Sequence, residues 1–382
     1  MKVIVAPDKF KGSLSAPEAA RAIARGVARA APLAEVDLVP MADGGEGTVE
    51  ALVEATGGEY REAKVSGPLG AIVSARFGIL GDGRTAVLEM ASASGLVLVP
   101  IDQRNVLKAS TLGTGELILA AVACGATRLI VGIGGSATND GGAGMAQALG
   151  YRLLDDQGVD LPPGGGPLER LERIVRPEVD RLRGVSAAVA CDVENPLCGP
   201  KGASRVYGPQ KGASLEQVEA LDRNLARFAA IVLRDLGVDV LDRPGSGAAG
   251  GLGAGLMAFA SGELEPGVSL IIEAVMLEER LRGADLCLTA EGALDASSAF
   301  GKTAVGVARL ARLFGVPTMA LAGSLGPGAE DMLDQGIDAY FSICPGPVAL
   351  DHAMLNAAVL LENAAEQAAR AFLAGRRDLR NP

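Results

Sequence analysis

Five stretches of this sequence combine residue types that can do chemistry. The first, Val131-Gly132-Ile133-Gly134-Gly135-Ser136-Ala137-Thr138-Asn139-Asp140-Gly141-Gly142, joins the apolar run 128–133 to a helical pattern that begins near Ala143. Glycines in a strand-to-helix connection let backbone N–H groups approach an anion closely, and the helix start adds partial positive charge. Gly134, Gly135, Ser136, Thr138, Asn139 and Asp140 are therefore expected to cradle phosphate. The alternative is a connection that only needs positive φ angles.

Met41-Ala42-Asp43-Gly44-Gly45-Glu46-Gly47-Thr48 follows a second apolar run at what should be the carboxyl end of a strand, where ligands of α/β proteins usually bind. Asp43 there suits Mg²⁺ or the proton of a substrate hydroxyl; Glu46 reads either as a ligand or as a residue favoured at a helix start. Pro7-Asp8-Lys9-Phe10-Lys11-Gly12-Ser13 also follows a strand. Asp8 and Lys11 are its candidates for holding a carboxylate or phosphate, against the reading of solvated lysines. In Ala190-Cys191-Asp192-Val193-Glu194-Asn195, Asp192 is a candidate base or metal ligand, or else it and Asn195 close an Asx turn. Lys211, in Gly208-Pro209-Gln210-Lys211-Gly212, is a candidate phosphate contact.

The fifth stretch runs from Leu288-Thr289-Ala290-Glu291-Gly292-Ala293-Leu294-Asp295 to Phe300-Gly301-Lys302-Thr303. Glu291, Asp295 and Lys302 form a possible metal, base and phosphate set. It is not a P-loop, because Ala296 stands where that motif needs glycine. Glycines 253 and 255 faintly suggest a dinucleotide fingerprint, but no strand precedes them, which leaves backbone approach as their better use. The sole histidine is His352, which makes a Ser-His-Asp triad or a histidine zinc site hard to assemble. Anion-binding loops with acids and without histidine fit phosphoryl transfer.

The elements that must position these residues follow a βαβα pattern at both ends of the chain. The first sixty residues read as strand 2–6, helix 16–30, strand 35–39 and helix 46–56. The last hundred read as strand 285–290, helix 302–314, strand 316–322, helix 328–335, strand 338–343 and helix 350–374. Residues 66–284 differ, with an alternating run at 71–79 and a glycine-punctuated series of strands and helices. The expected organisation is a discontinuous α/β domain, 1–65 plus 285–382, around an inserted second α/β domain, 66–284.

The composition agrees. Apolar residues make up 49% and aromatics 3% of 382 residues, as buried parallel strands under alanine-rich helices require. A net charge of -11 opposes nucleic-acid binding. The five cysteines are odd in number and widely spaced, which argues against a disulfide framework. No run reaches the ~18 apolar residues of a membrane span, and early charges at Asp8 and Lys9 argue against a signal peptide. A cytoplasmic protein without a membrane or nucleic-acid partner, monomeric or homodimeric, is expected.

Together, Asp8-Lys9-Phe10-Lys11-Gly12-Ser13-Leu14-Ser15, Met41 to Thr48, Ile133 to Gly142, Cys191-Asp192-Val193-Glu194-Asn195-Pro196-Leu197-Cys198-Gly199, Ala248 to Gly253 and Gly323-Ser324 resemble the class I glycerate kinases, in order over nearly the whole chain. The resemblance implies phosphorylation of D-glycerate with ATP and Mg²⁺, usually at the 2-hydroxyl. It also implies a flavodoxin-like parallel-sheet domain built from both chain ends, with a second α/β domain inserted. ATP phosphates are then expected on the 134–142 loop, Mg²⁺ on carboxylates from Asp192, Glu291 or Asp295, and glycerate on the Asp8 and Asp43 side. One aspartate among Asp192, Asp295 and Asp43 accepts the hydroxyl proton, and Lys302 or Lys11 offsets charge on the transferred group. One departure stands out: where the family reads T-G-E-G-R-L-D-x-Q-T, this chain has Ala293 in place of the arginine and Ser297 in place of the glutamine. Other readings are a kinase forming 3-phosphoglycerate or acting on a related hydroxy acid. Further off lie an NAD-dependent hydroxy-acid dehydrogenase, resting on the 253–258 glycines, and a silent acid-binding sensor, resting on Ala293.

Overall fold

The computed structural model describes residues 1–299 and 303–378. Its strands, in chain order, are β1 (Lys2–Val5), β2 (Glu35–Leu38), β3 (Glu59–Ser66), β4 (Ile72–Ile79), β5 (Thr85–Glu89), β6 (Arg128–Gly132) and β7 (Arg152–Leu154). They continue with β8 (Arg173–Val175), β9 (Ser186–Ala190), β10 (Glu263–Glu265), β11 (Leu286–Leu294), β12 (Thr318–Leu325) and β13 (Ala339–Ser342). The chain forms two compact units: Met1–Asp43 with Glu50–Gly57 and Val268 onward, and Gly44–Val49 with Gly58–Gly267.

In the first unit the sheet order is β13-β12-β11-β1-β2, with every neighbouring pair parallel. Counted along the chain within this unit, that is the 2-1-3-4-5 order of flavodoxin-like folds. Val3, Val5, Leu286, Leu288 and Leu321 from the strands pack with Ile23 and Val27 of helix Ala16–Ala30 and with Leu361 and Ala365 of helix Ala357–Asp378. The first helix starts where local chemistry favours it: Pro17 lies in its first turn, and the Glu18 carboxylate accepts the N–H of Ser15 at 2.9 Å. Gly26 lets it pack closely on the last helix, since a Cβ there would stand 2.2 Å from the Glu362 carbonyl oxygen.

The second unit holds a six-stranded sheet, β10-β9-β6-β5-β4-β3, and the antiparallel pair β7-β8. Strands β5, β6, β9 and β10 run parallel, while β3 and β4 extend the sheet antiparallel. The period-2 pattern of β4 turns Ala75 and Phe77 into the core, where they meet Leu117, Leu129 and Val131.

Several elements differ from the sequence reading. β11 runs on to Leu294, pairing Glu291 with Ala322 and Leu294 with Leu325, so Glu291 sits on a strand and not in a loop. The helix expected at 328–335 is one 3₁₀ turn, Ala329–Met332, entered from the left-handed Gly328 and followed by a turn that reaches the left-handed Gly336. The terminal helix breaks into Leu350–Leu355 and Ala357–Asp378 at Asn356, whose side chain donates to the His352 carbonyl at 2.8 Å. The units part after Gly57 and Gly267, where the sequence reading places boundaries at 65 and 284. β3 pairs along its whole length with β4, and Arg280 is anchored in the first unit by the Asp37 carboxylate at 2.7 Å and the Ala55 carbonyl at 2.8 Å. Among the described residues no helix is long and apolar enough to cross a membrane.

Candidate functional site

The candidate residues fall in two regions, one in each unit. In the first unit, the carboxyl ends of five parallel strands open into a cleft of about 510 Å³. The order of the sheet reverses between β1 and β11, and Asp8 follows β1 while Glu291 lies on β11, so both flank the switch point where such sheets bind ligands. Asp43, Lys9, Lys11 and Ser324 complete the polar side of the cleft. The other wall is apolar, with Phe10, Ile343, Leu350 and Met354. The Met354 carbonyl is tied down by the Ser13 hydroxyl at 2.6 Å.

Asp8 is only 8% exposed. Its Oδ1 accepts the N–H of Lys9 at 2.6 Å, and its Oδ2 accepts the Thr303 hydroxyl at 2.5 Å. The Lys9 ammonium lies 3.8 Å from Asp8 and 3.5 Å from Asp43. Burial pushes the Asp8 carboxyl above the usual carboxylate range; Lys9 and Thr303 pull it back, and Asp43 adds to the rise. Lys11 is exposed beside Gly292. Asp295 follows the end of β11, where its backbone N–H donates to Ser298 Oγ at 3.3 Å. Lys302 lies outside the described residues. Ala293 lines the cleft at the position where the resembled family carries arginine.

The glycine loop of the second unit leaves β6 at its carboxyl end. Gly134 and Gly135 are exposed, whereas Ser136, Thr138, Asn139 and Asp140 are buried. The turn is held from behind: the Leu96 N–H donates to the Gly135 carbonyl at 2.8 Å, and the Ala137 N–H to the Ser94 carbonyl at 3.0 Å. Asp140 accepts the Thr111 N–H at 2.8 Å, the Thr111 hydroxyl at 2.9 Å, and the N–H groups of Gly142 and Gly144, each at 3.2 Å. Burial raises its carboxyl, and these donors oppose the rise. Asn139 donates to Ser204 Oγ at 2.9 Å. The polar side chains that sequence reasoning offers to a ligand are thus turned inward, and the surface of the loop is glycine backbone.

Lys211, read from sequence as a phosphate contact, is 2% exposed and lies beneath this loop. Its ammonium donates to Ser136 Oγ at 2.9 Å and to the Thr138 carbonyl at 2.6 Å. The glycines at 253 and 255 sit at close backbone approaches: a Cβ on Gly253 would stand 2.3 Å from the Gly245 carbonyl oxygen, and one on Gly255 2.6 Å from the Gly141 carbonyl oxygen. No strand precedes them, so the fingerprint geometry is missing. Asp192 follows β9, is exposed, and accepts the N–H of Gly267 at 2.9 Å. Asn195 does not close an Asx turn with it; it accepts from the Tyr207 hydroxyl and donates to the Lys201 carbonyl, both at 2.7 Å.

The structure brings Asp8, Lys11, Asp43 and Glu291 to one cleft and places the 134–142 loop in the other unit together with Asp192, which the sequence reading groups with Glu291 and Asp295. Sequence reasoning misses Thr303 and the pairing role of Lys9. A hydroxyl at a helix start carries no sign of a carboxylate 295 positions away. No group of three or more His, Cys, Asp or Glu able to hold a metal gathers among the described residues.

The family model described as the glycerate kinase family matches residues 3–373. A glycerate kinase of Bacillus subtilis (strain 168) is 52% identical over 370 residues, 97% of each chain. A glycerate 2-kinase of Escherichia coli (strain K12) is 50% identical over 358 residues, 94% of each. A crystal structure of a glycerate kinase 2 from Salmonella typhimurium LT2 superposes with a TM-score of 0.91 at 48% identity, covering 99% of both chains.

Proposed function

Since the chain belongs to the glycerate kinase family, a family of ATP-dependent phosphotransferases, we propose that it phosphorylates D-glycerate at the 2-hydroxyl to give 2-phosphoglycerate. The observation that carries this reading is the buried Asp8 at the switch point, bonded to Thr303 and flanked by Lys9. A carboxylate whose proton affinity is raised by burial is a better base for an alcohol than an exposed one. In this reading Asp8 accepts the hydroxyl proton of glycerate. Lys9 and Lys11 offset negative charge on the acid and the incoming phosphoryl group, with Lys302 a further candidate. Asp43 holds Lys9 in place and is the second candidate for the proton.

Phosphoryl transfer asks the protein mainly for positioning and charge neutralisation. The exposed Gly134–Gly135 turn supports a phosphate-binding role, with Ser136, Thr138, Asn139 and Asp140 shaping the loop from within. Mg²⁺ is usually held by one or two carboxylates together with substrate phosphates. Glu291 and Asp295 in the first unit, or Asp192 in the second, are the candidate carboxylates, and the ion when bound would supply charge neutralisation on the phosphates. Five free cysteines support a reducing, cytoplasmic compartment.

The dimensions of the cleft favour a second allocation of ligands. About 510 Å³ with an apolar wall of Phe10, Ile343, Leu350 and Met354 exceeds what a three-carbon acid fills and suits a nucleoside. The glycine loop then takes the carboxylate of glycerate. The reaction itself is tested by ADP release from MgATP with D-glycerate, coupled through enolase. Immediate signal is expected. ADP release whose signal waits for phosphoglycerate mutase means the 3-product, and no ADP at all sinks the proposal.

A further inference from the structure

Lys211 is a buried lysine with little around it to hold a charge. It sits on the turn Pro209–Lys211, in a narrow pocket that it shares with Arg104, Val99 and Ala137. A lysine ammonium has three N–H donors. Two are taken, by Ser136 Oγ at 2.9 Å and the Thr138 carbonyl at 2.6 Å. The third has no protein acceptor among the described residues. The other charged groups at this place are Asp140, whose carboxylate is already committed to Thr111, Gly142 and Gly144, and Arg104, which donates to the Gln210 carbonyl at 3.0 Å. Ser136, which the ammonium touches, directly follows the exposed Gly134–Gly135 turn, and among the described residues no protein acceptor takes the N–H of Gly134 or Gly135. Asn139 Oδ1, buried in the same loop, is likewise without a hydrogen-bond partner.

We propose that Lys211 is the positioning residue of an oxyanion site at Gly134–Gly135: it braces Ser136 against Thr138, and binding of an anion at the turn draws a proton from solvent onto its Nζ. The ligand is an oxyanion of the kinase reaction, either a phosphate of ATP or the carboxylate of glycerate. The inference rests on the reading of the 134–142 loop as an anion site. Coulomb attraction in a poorly solvated place supplies the coupling, because a bound anion stabilises the ammonium and the ammonium stabilises the anion by the same amount. Burial pulls Lys211 down from 10.5 to about 7, with Asp140 opposing, so the empty site favours the neutral amine more than solvent does.

The test is calorimetric titration of the full chain at pH 8 with MgATP and, separately, with D-glycerate, each in Tris and in HEPES. The two buffers differ in ionisation enthalpy, so the difference in heat counts protons. One ligand is expected to bind with uptake approaching one proton per site. K211M is expected to bind that ligand about 10- to 100-fold more weakly and without uptake, with the other ligand unaffected. K211Q keeps an N–H donor without the charge and is expected to lose the uptake as well, which a purely structural role for Lys211 does not predict. If the methionine variant fails to fold, the wild type and K211Q still decide. Absence of uptake with both ligands in the wild type, or uptake that survives in either variant, overturns the proposal. Turnover of glycerate without uptake removes Lys211 alone and leaves the kinase reading standing. Failure of both ligands to bind removes both.

Discussion

Asp8 in the first unit and Asp140 in the second are both buried aspartates whose carboxyls burial raises, yet their surroundings differ. Asp140 is fully enclosed and collects donors from Thr111, Gly142 and Gly144. Asp8 has one N–H and one hydroxyl and lines an open cleft. A buried carboxylate saturated with donors is architecture, because any ligand has to displace bonds already made. One with fewer donors, at a cleft, keeps capacity for a proton or a substrate hydroxyl.

Exchanging the two residues for neutral ones breaks or sharpens that contrast. Asp8→Asn is expected to lower kcat by about 10²- to 10⁴-fold, the usual contribution of a general base. Because burial raises the Asp8 carboxyl above its unfolded value of 3.8, the stability linked to this group is full below that value and is lost as pH rises through the folded one. The same variant is therefore expected to be at least as stable as the wild type at pH 8, read as Tm. A large drop in Tm with kcat unchanged would make Asp8 architecture after all.

Asp140→Ala is expected to do the reverse, destabilising the protein by about 3–5 kcal/mol because several buried donors lose their acceptor at once. Denaturant unfolding measures it. A loss under about 1 kcal/mol removes Asp140 from the structural role.

Lys211 adds a pH-dependent term of opposite sign to that of a paired lysine. Its folded value, about 7, lies below the ordinary lysine value of 10.5, so the stability linked to it is full above 10.5 and is lost as pH falls toward 7. The Tm of K211M minus that of the wild type is expected to move in favour of the variant by several degrees across that window, and a flat difference contradicts a depressed lysine. The smallest effect belongs to Thr303→Val. Losing one hydrogen bond to a charged group, worth about 1.5–3 kcal/mol, raises the Asp8 carboxyl further. The acidic limb of kcat/KM is then expected to move to higher pH, with kcat changed about 10-fold or less. A limb that stays put separates Thr303 from the reacting proton.

Much of the fold is legible without the structure, and particular residues show why. Ser15, Pro17 and Glu18 mark the start of helix Ala16–Ala30 through contacts within one turn. The alternation in β4 and the glycine loop after β6 are likewise local patterns. Long motifs shared with the glycerate kinases pointed to both candidate regions. The departures come from longer range: β11 extends through Glu291 because β12 offers a parallel partner as far as Leu325, which no propensity in 288–295 announces.

The sequence by itself determined where strands and helices begin, which loops follow parallel strands, and which family the chain resembles. These depend on caps, periodicity and glycine conformations that act over a few residues. Tertiary structure decided which polar groups face a cleft and which are spent inside. Asp8 meets Thr303, and Lys211 meets Ser136, only after residues 295 and 75 positions apart are packed together. Burial, and with it the proton affinity of every buried acid and base, is a property of that packing, because desolvation is set by all the neighbours at once.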